Sequence, residues 1–414
     1  MNSKDAKRIF LVFGAATAAI GYIFSITTGS IGIMIFLLAW LINYKSITFN
    51  KLTKKNKLWP LVLFFLFLIL GSFHGGDFYK SQKILVRFIP FLLFPILFIT
   101  APIFSSKERL RIIKVFVHSL TIFFIICLIV AISRQIGFWN RGGIFNWYYF
   151  YRYDFLEVFK QHPTYLSMFT LLSLSFVLFL KKDLFGKRFL LITTLLIQMT
   201  AIIFYGSRIG YILFLFLLVI YFFRNFRTKN GYKKFRSAAI FISSFILMVF
   251  LVYKIPIVKE RIFYTFGLSY DYKFNNIESI NEGGIPEEHG RFLLWKDAVS
   301  LIKERPFFGL GTGATEKALL KKYKEMGHIL FLDNKYNVHN SYLQTLLMGG
   351  IFLLAVYLLI MHNLLWSSLS RKDVSLFMFF LIIAITSITE TIFVSRGVQF
   401  LSFFYCFFLM REHE

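Results

Sequence analysis

The chain has 414 residues, of which 57% are hydrophobic and 16% charged, with a formal net charge of +26. This composition excludes a water-soluble globular domain and places the chain among polytopic membrane proteins. The basic excess lies mostly in short loops between apolar runs, the positive-inside pattern, and so does not mark a nucleic-acid partner.

The 55 Phe and 21 Tyr suit lipid-facing surfaces and interfacial belts, and would also suit a groove for a long polyprenyl chain. Cys127 and Cys406 lie inside apolar runs, with no metal-ligand spacing and no disulfide framework. The basic stretch from Met1 to Arg8 precedes an apolar run without a small-residue cleavage site, which predicts an uncleaved first helix.

Apolar runs that cross, or nearly cross, ~30 Å of hydrocarbon follow in order. They cover residues 9–26, 31–44, 59–73, 84–103, 112–133, 164–180, 189–205, 209–223, 238–253, 342–365, 374–393 and 398–410. The expectation is an all-α, polytopic integral membrane protein of about twelve transmembrane helices, a single membrane domain over 1–414. One large periplasmic loop, 255–341, contains amphipathic helices.

Basic residues alternate between loops. Lys4, Lys7 and Arg8; Lys51, Lys54, Lys55 and Lys57; Lys107, Arg109 and Arg111; Lys181, Lys182, Lys187 and Arg188; the run from Arg224 to Arg236; and Arg371 with Lys372 form the cytoplasmic set. Both termini go with them, and the large segment faces outward.

Within that segment, residues 255–290 carry no readable chemistry beyond a turn at Gly283-Gly284-Ile285-Pro286. From Arg291 to Arg305 the pattern is helical. Phe292, Trp295, Val299 and Ile302 share one face, widened by Leu294, Ala298 and Leu301, as in a surface or capping amphipathic helix. Arg291 projects into that arc at the helix start, where the macrodipole disfavours a cation. It either pairs with Glu287 or Glu288, snorkels to the interface, or aims a guanidinium at an anion. Pro306 to Gly313 forms a glycine-rich turn, which without a preceding strand or a P-loop lysine is weak evidence for phosphate binding. Residues 314–326 predict a second, basic amphipathic helix.

His339 falls on the first turn of the next spanning helix, where the positive end of the helix dipole disfavours imidazolium. Neutral imidazole is what a general base requires; the alternative is an interfacial or capping residue. Arg208, at the tip of a tight outward hairpin, is either an interfacial anchor or functional. Arg87 and Glu390 lie near the outer ends of apolar spans, where ionisable residues are functional suspects or pair with one another. His162, opening the sixth span, caps it or binds substrate. The outward loops hold no Asp-x-Asp, no His/Cys cluster and no Gly-x-Ser-x-Gly, and no cytoplasmic domain is large enough for ATP.

Ser207-Arg208-x-Gly210, Gly290-Arg291-x-x-x-Trp295-x-x-Ala298, Pro306-x-x-Gly309-x-Gly311 and His339-Asn340-x-Tyr342-Leu343, with Gly349-Gly350 downstream, resemble the O-antigen ligase family in that order. The resemblance covers residues 192–360 by motif. It implies inverting glycosyl transfer, without metal or other cofactor, from an undecaprenyl-diphosphate-linked glycan to a lipid or glycan hydroxyl on the periplasmic face of a bacterial inner membrane. Lipid A-core oligosaccharide is the implied acceptor. By position, His339 would be the base, and Arg208 and Arg291 would bind the diphosphate; Arg87, His162 and Glu390 stand as further substrate-binding candidates. A repeat-unit polymerase and a glycolipid flippase or transporter are the rival readings.

Overall fold

The computed structural model describes residues 3–44, 57–228 and 287–410. The expected span at 238–253, the stretch 255–286, most of the run from Arg224 to Arg236, and Lys51, Lys54 and Lys55 lie outside them. All regular elements among the described residues are helical. In chain order the α-helices are α1 (Ser3–Phe24), α2 (Ile26–Ile42), α3 (Trp59–His74), α4 (Phe78–Thr100), α5 (Ser106–Trp139), α6 (Arg152–Leu156), α7 (Pro163–Phe179) and α8 (Lys181–Leu184). There follow α9 (Arg188–Tyr205), α10 (Arg208–Thr228), α11 (Glu287–Glu304), α12 (Thr315–Glu325), α13 (Ile329–Asp333), α14 (Ser341–Ser370), α15 (Val374–Thr389) and α16 (Ser395–Leu409).

The expected number of spans is only partly met. Among the described residues, five helices are long and apolar enough to cross a membrane: α1 from Lys4, α4, α5, α9 and α14. A sixth results if Arg152–Phe159 and Pro163–Phe179, bent by 81°, count as one broken span. The runs that became α2, α3 and α15 are apolar but shorter, 16 or 17 residues. The described part is a helical membrane protein.

The chain divides into two compact units, 1–45 with 104–263 and 372–382, and 46–103 with 264–371 and 383–414. In the first, Arg8 of α1 donates through Nε and Nη2 to both oxygens of Glu108, each at 2.6 Å. Glu108 also closes a capping box with Ser105 at the start of α5, so one carboxylate caps a helix and ties a second one to it. At the other end of α1, Gln161 Nε2 donates to the carbonyl of Ile23 at 2.6 Å.

Much of the aromatic content is core in place of lipid-facing surface. In the second unit Phe64, Phe88, Phe91 and Phe393 surround one another and the buried Tyr357. All five Phe of α16 are buried. Aromatic packing of this kind adds edge-to-face attraction to area burial.

The second unit is riveted by the glycine-rich turn. α14 breaks at Gly349 and Gly350, whose backbones leave helical geometry (φ −142° and +64°). Into that break the turn after α11 docks. Leu310 N–H donates to the Leu347 carbonyl at 2.7 Å, and Ile351 N–H to the Pro306 carbonyl at 2.9 Å. The turn then continues to α3, where the Thr312 hydroxyl donates to the Leu68 carbonyl at 2.7 Å and its N–H to the Gly71 carbonyl at 3.1 Å. A β-carbon on Gly350 would meet the Phe307 carbonyl, and one on Gly309 would lie 2.7 Å from the Gly349 nitrogen. The glycines therefore serve backbone-to-backbone approach, and the Leu347 carbonyl and Ile351 N–H at the break find partners in the turn.

Candidate functional site

The amphipathic segment of the second unit closes over the start of α14. α11 turns Leu294, Ala298 and Leu301 inward, where they pack with Leu319 and Tyr323 of α12, Phe331, Val338 and Leu347. The buried face is rotated from the expected one, since Phe292 and Val299 are exposed. The rotation brings Asp297 inside, where its Oδ2 lies 2.8 Å from His328 Nδ1. Trp295 Nε1 donates to the Val338 carbonyl at 3.0 Å, fixing α11 over the residues that precede α14. α12 forms as expected. Burial, with Asp297 nearby, pushes the Tyr323 hydroxyl up from its ordinary range, so it persists as a donor, to the Tyr336 carbonyl.

His339 is not on the first turn of α14. The helix begins at Ser341, with Asn340 as its N-cap accepting from Leu343 N–H. His339 stands one residue earlier in left-handed backbone (φ +48°), held by an Asx turn in which Asn337 Oδ1 accepts its N–H at 2.8 Å. The ring direction is thus set by a turn, and the helix dipole has less claim on it than the sequence suggests.

What faces the ring is Glu390, immediately after α15. Its Oε2 lies 3.0 Å from His339 Nδ1, and its Oε1 accepts from Arg291 Nη2 at 2.9 Å. The carboxylate is nearly buried, while the arginine and histidine side chains remain 29% and 27% exposed. One carboxylate therefore ties together two exposed functional groups from different segments. The backbone around it is pinned as well. Ser341 Oγ donates to the Glu390 carbonyl at 2.9 Å and accepts from Ile392 N–H at 3.0 Å, and Thr391 Oγ1 lies 3.3 Å from Asn337 Oδ1. Tyr336 sets the edge of its ring toward His339 at 5.9 Å.

With Nδ1 pointed at a carboxylate, the neutral ring carries its proton on Nδ1 and leaves the Nε2 lone pair for an incoming O–H. Glu287 and Glu288, the expected partners of Arg291, have side chains outside the described residues; the partner described is Glu390. A single donor is used for that bond, and the remaining N–H groups of the guanidinium fork can meet an anion. Arg87 donates through Nη1 to the Phe393 carbonyl at 3.2 Å, three residues beyond Glu390. The chain order gave no sign that Glu390 would join Arg291 and His339. The one legible signal was an acidic residue at the end of an apolar run.

Arg208 and His162 belong to the first unit. Arg208 opens α10 after a left-handed Gly206 (φ +62°), whose missing β-carbon leaves room for Tyr151 and Arg152. Burial pushes the Tyr151 hydroxyl up, opposed by the charges of Arg152 and Arg208. Two guanidinium groups thus act on one phenol. His162 is the N-cap of α7: its Nδ1 accepts from Thr164 N–H at 3.3 Å, so Nε2 carries the proton and donates to Tyr153 Oη at 2.9 Å. The capping alternative describes it.

No curated protein matches the chain. A family model does match, over residues 193–358, a span that contains Arg208, Arg291 and His339 and ends before Glu390. Its description is O-Antigen ligase, and the match supports assigning the chain to the O-antigen ligase family.

Proposed function

We propose that this chain transfers a glycan from an undecaprenyl diphosphate carrier to an acceptor hydroxyl, that of lipid A-core oligosaccharide, on the periplasmic face of the inner membrane. The family match supports an O-antigen ligase or a related polymerase at the coarser level. The single observation that carries the finer reading is the Glu390 carboxylate shared between His339 and Arg291.

In this reading the acceptor O–H gives its proton to His339 Nε2 while its oxygen attacks the anomeric carbon of the donor sugar. The bond from that carbon to the diphosphate oxygen breaks, the electron pair leaves with the diphosphate, and the anomeric configuration inverts. Glu390 holds the ring with Nε2 outward and favours the imidazolium that forms, as the carboxylate of a catalytic triad does. A positioned base contributes typically about 10²- to 10⁴-fold. Arg291 meets the developing diphosphate charge with fixed donors, which guanidinium supplies better than ammonium. Arg208 acts as a second guanidinium, a role that rests on the resemblance. No metal enters any step.

The test is transfer by purified protein from a polyprenyl-diphosphate glycan to lipid A-core acceptor, wild type against His339→Ala. Product from wild type alone supports the reading. Product from both removes His339 as base. Failure of wild type with this acceptor, together with chain growth when lipid-linked repeat units are supplied, identifies a polymerase.

A further inference from the structure

A second surface feature of the second unit lies at the far end of α14 from His339. Trp59, Leu63 and Leu66 of α3 and Leu359 of α14 line an open, wholly apolar groove of about 260 Å³. These four residues are 40%, 40%, 47% and 43% exposed. Two residues before Trp59, outside the lining of the groove, stands the exposed Lys57. Its carbonyl is anchored by Tyr405 Oη at 2.5 Å and Asn363 Nδ2 at 3.2 Å, and its ammonium donates to Ser367 Oγ at 3.2 Å. Leu359, Asn363 and Ser367 succeed one another at four-residue spacing, so groove and ammonium lie along one stripe of α14.

An apolar trough with an exposed, hydrogen-bonded cation two residues from its lining tryptophan has the chemistry of one ligand class. We propose that this is a binding site for an anionic diacyl phospholipid, an acyl chain in the groove and the headgroup phosphate at Lys57. Rise along the helix separates this lipid from the proposed reaction. Ser367 lies roughly 39 Å beyond Ser341 along the path of α14 at 1.5 Å per residue, more than the ~30 Å of a hydrocarbon core. That path bends at Gly349 and Gly350, and Lys57 belongs to the basic set expected on the cytoplasmic side, so the headgroup at Lys57 is assigned to the side away from His339, which sets this lipid apart from a carrier whose diphosphate meets Arg291. The site does not depend on the transferase reading.

The experiment uses the full chain in phosphatidylcholine vesicles, with a small, equal fraction replaced by either dibrominated phosphatidylglycerol or dibrominated phosphatidylcholine. Bromine on an acyl chain quenches a tryptophan in contact with it, and the Trp59 signal is the difference between wild type and Trp59→Phe. The expected result is quenching of Trp59 by the brominated anionic lipid at about fivefold lower mole fraction than by the zwitterionic one, the effect of one lysine near a phosphate. Lys57→Gln should abolish that preference and Lys57→Arg should retain it. Equal quenching by the two lipids in wild type, or a preference that survives Lys57→Gln, overturns the proposal. Stronger quenching by a brominated polyprenyl phosphate than by phosphatidylglycerol overturns it in favour of a carrier-lipid groove.

Discussion

His339 and Glu390, 51 residues apart in the chain, meet at 3.0 Å between Nδ1 and Oε2. A histidine positioned in this way has a defined tautomer and a defined direction, and both depend on the carboxylate. Substituting Glu390 with Gln keeps the side-chain shape and a hydrogen-bonding group but removes the charge. Transfer should fall by about 10²- to 10⁴-fold, with the loss in kcat and little change in KM. Initial rates over a range of acceptor concentrations decide it. A loss confined to KM would make Glu390 a binding residue.

Arg291→Lys should be nearly as damaging to transfer as Arg291→Ala. The ammonium can still pair with Glu390, so the fold survives, but it lacks the fork that meets a diphosphate through parallel donors. Activities of the two variants at matched membrane insertion make the comparison. Near-normal transfer by the Lys variant would reduce Arg291 to a partner for Glu390.

Gly350→Ala should destabilise the protein by at least about 1–2 kcal/mol, the cost of left-handed backbone for a residue with a β-carbon, before its collision with the Phe307 carbonyl is counted. The thermal unfolding temperature of purified protein reports the effect. Gly186→Ala, whose β-carbon would meet nothing within 4 Å, is the matched control and should leave that temperature within error of wild type.

Asp297→Ala should loosen α11 to α13 without touching the His339 ring. It leaves His328 Nδ1 without its partner in a nearly buried setting, a loss of about 1–3 kcal/mol. Hydrogen exchange across residues 291–339 should rise, while exchange in α4 stays unchanged.

Chelating divalent cations should not alter transfer in the proposed mechanism, since proton removal, leaving-group charge and orientation are each assigned to side chains. Loss of transfer in chelator, restored by one added cation, would require a different account of how the diphosphate leaves.

Parts of this architecture could be read without coordinates because they are local. Apolar run length gives a helix, and apolar spacing near 3.6 gives the amphipathic α11 and α12, although the inward face of α11 came out rotated. The rotation has a tertiary cause: burial is decided by what α12 and α13 present to α11, and they present His328 as a partner for Asp297. The glycine-rich turn reads as a turn from Pro306 to Gly313. Nothing in those residues states that it enters a break in α14 more than thirty residues later in the chain. The aromatic count was legible too, but whether a phenylalanine faces lipid or core depends on its neighbour in space, and in α16 every one faces inward.

The sequence by itself determined a basic, helical membrane protein and singled out Arg208, Arg291 and His339 within one ordered set of motifs. Only the tertiary structure decided that His339 precedes α14 in a left-handed turn and that one carboxylate joins it to Arg291. The physical reason is range. Helix formation follows from hydrogen bonds four residues apart and from the apolar pattern that repeats with them. The pairing of Glu390 with His339 and Arg291 follows from contacts between distant segments, which the order of residues along the chain does not encode locally.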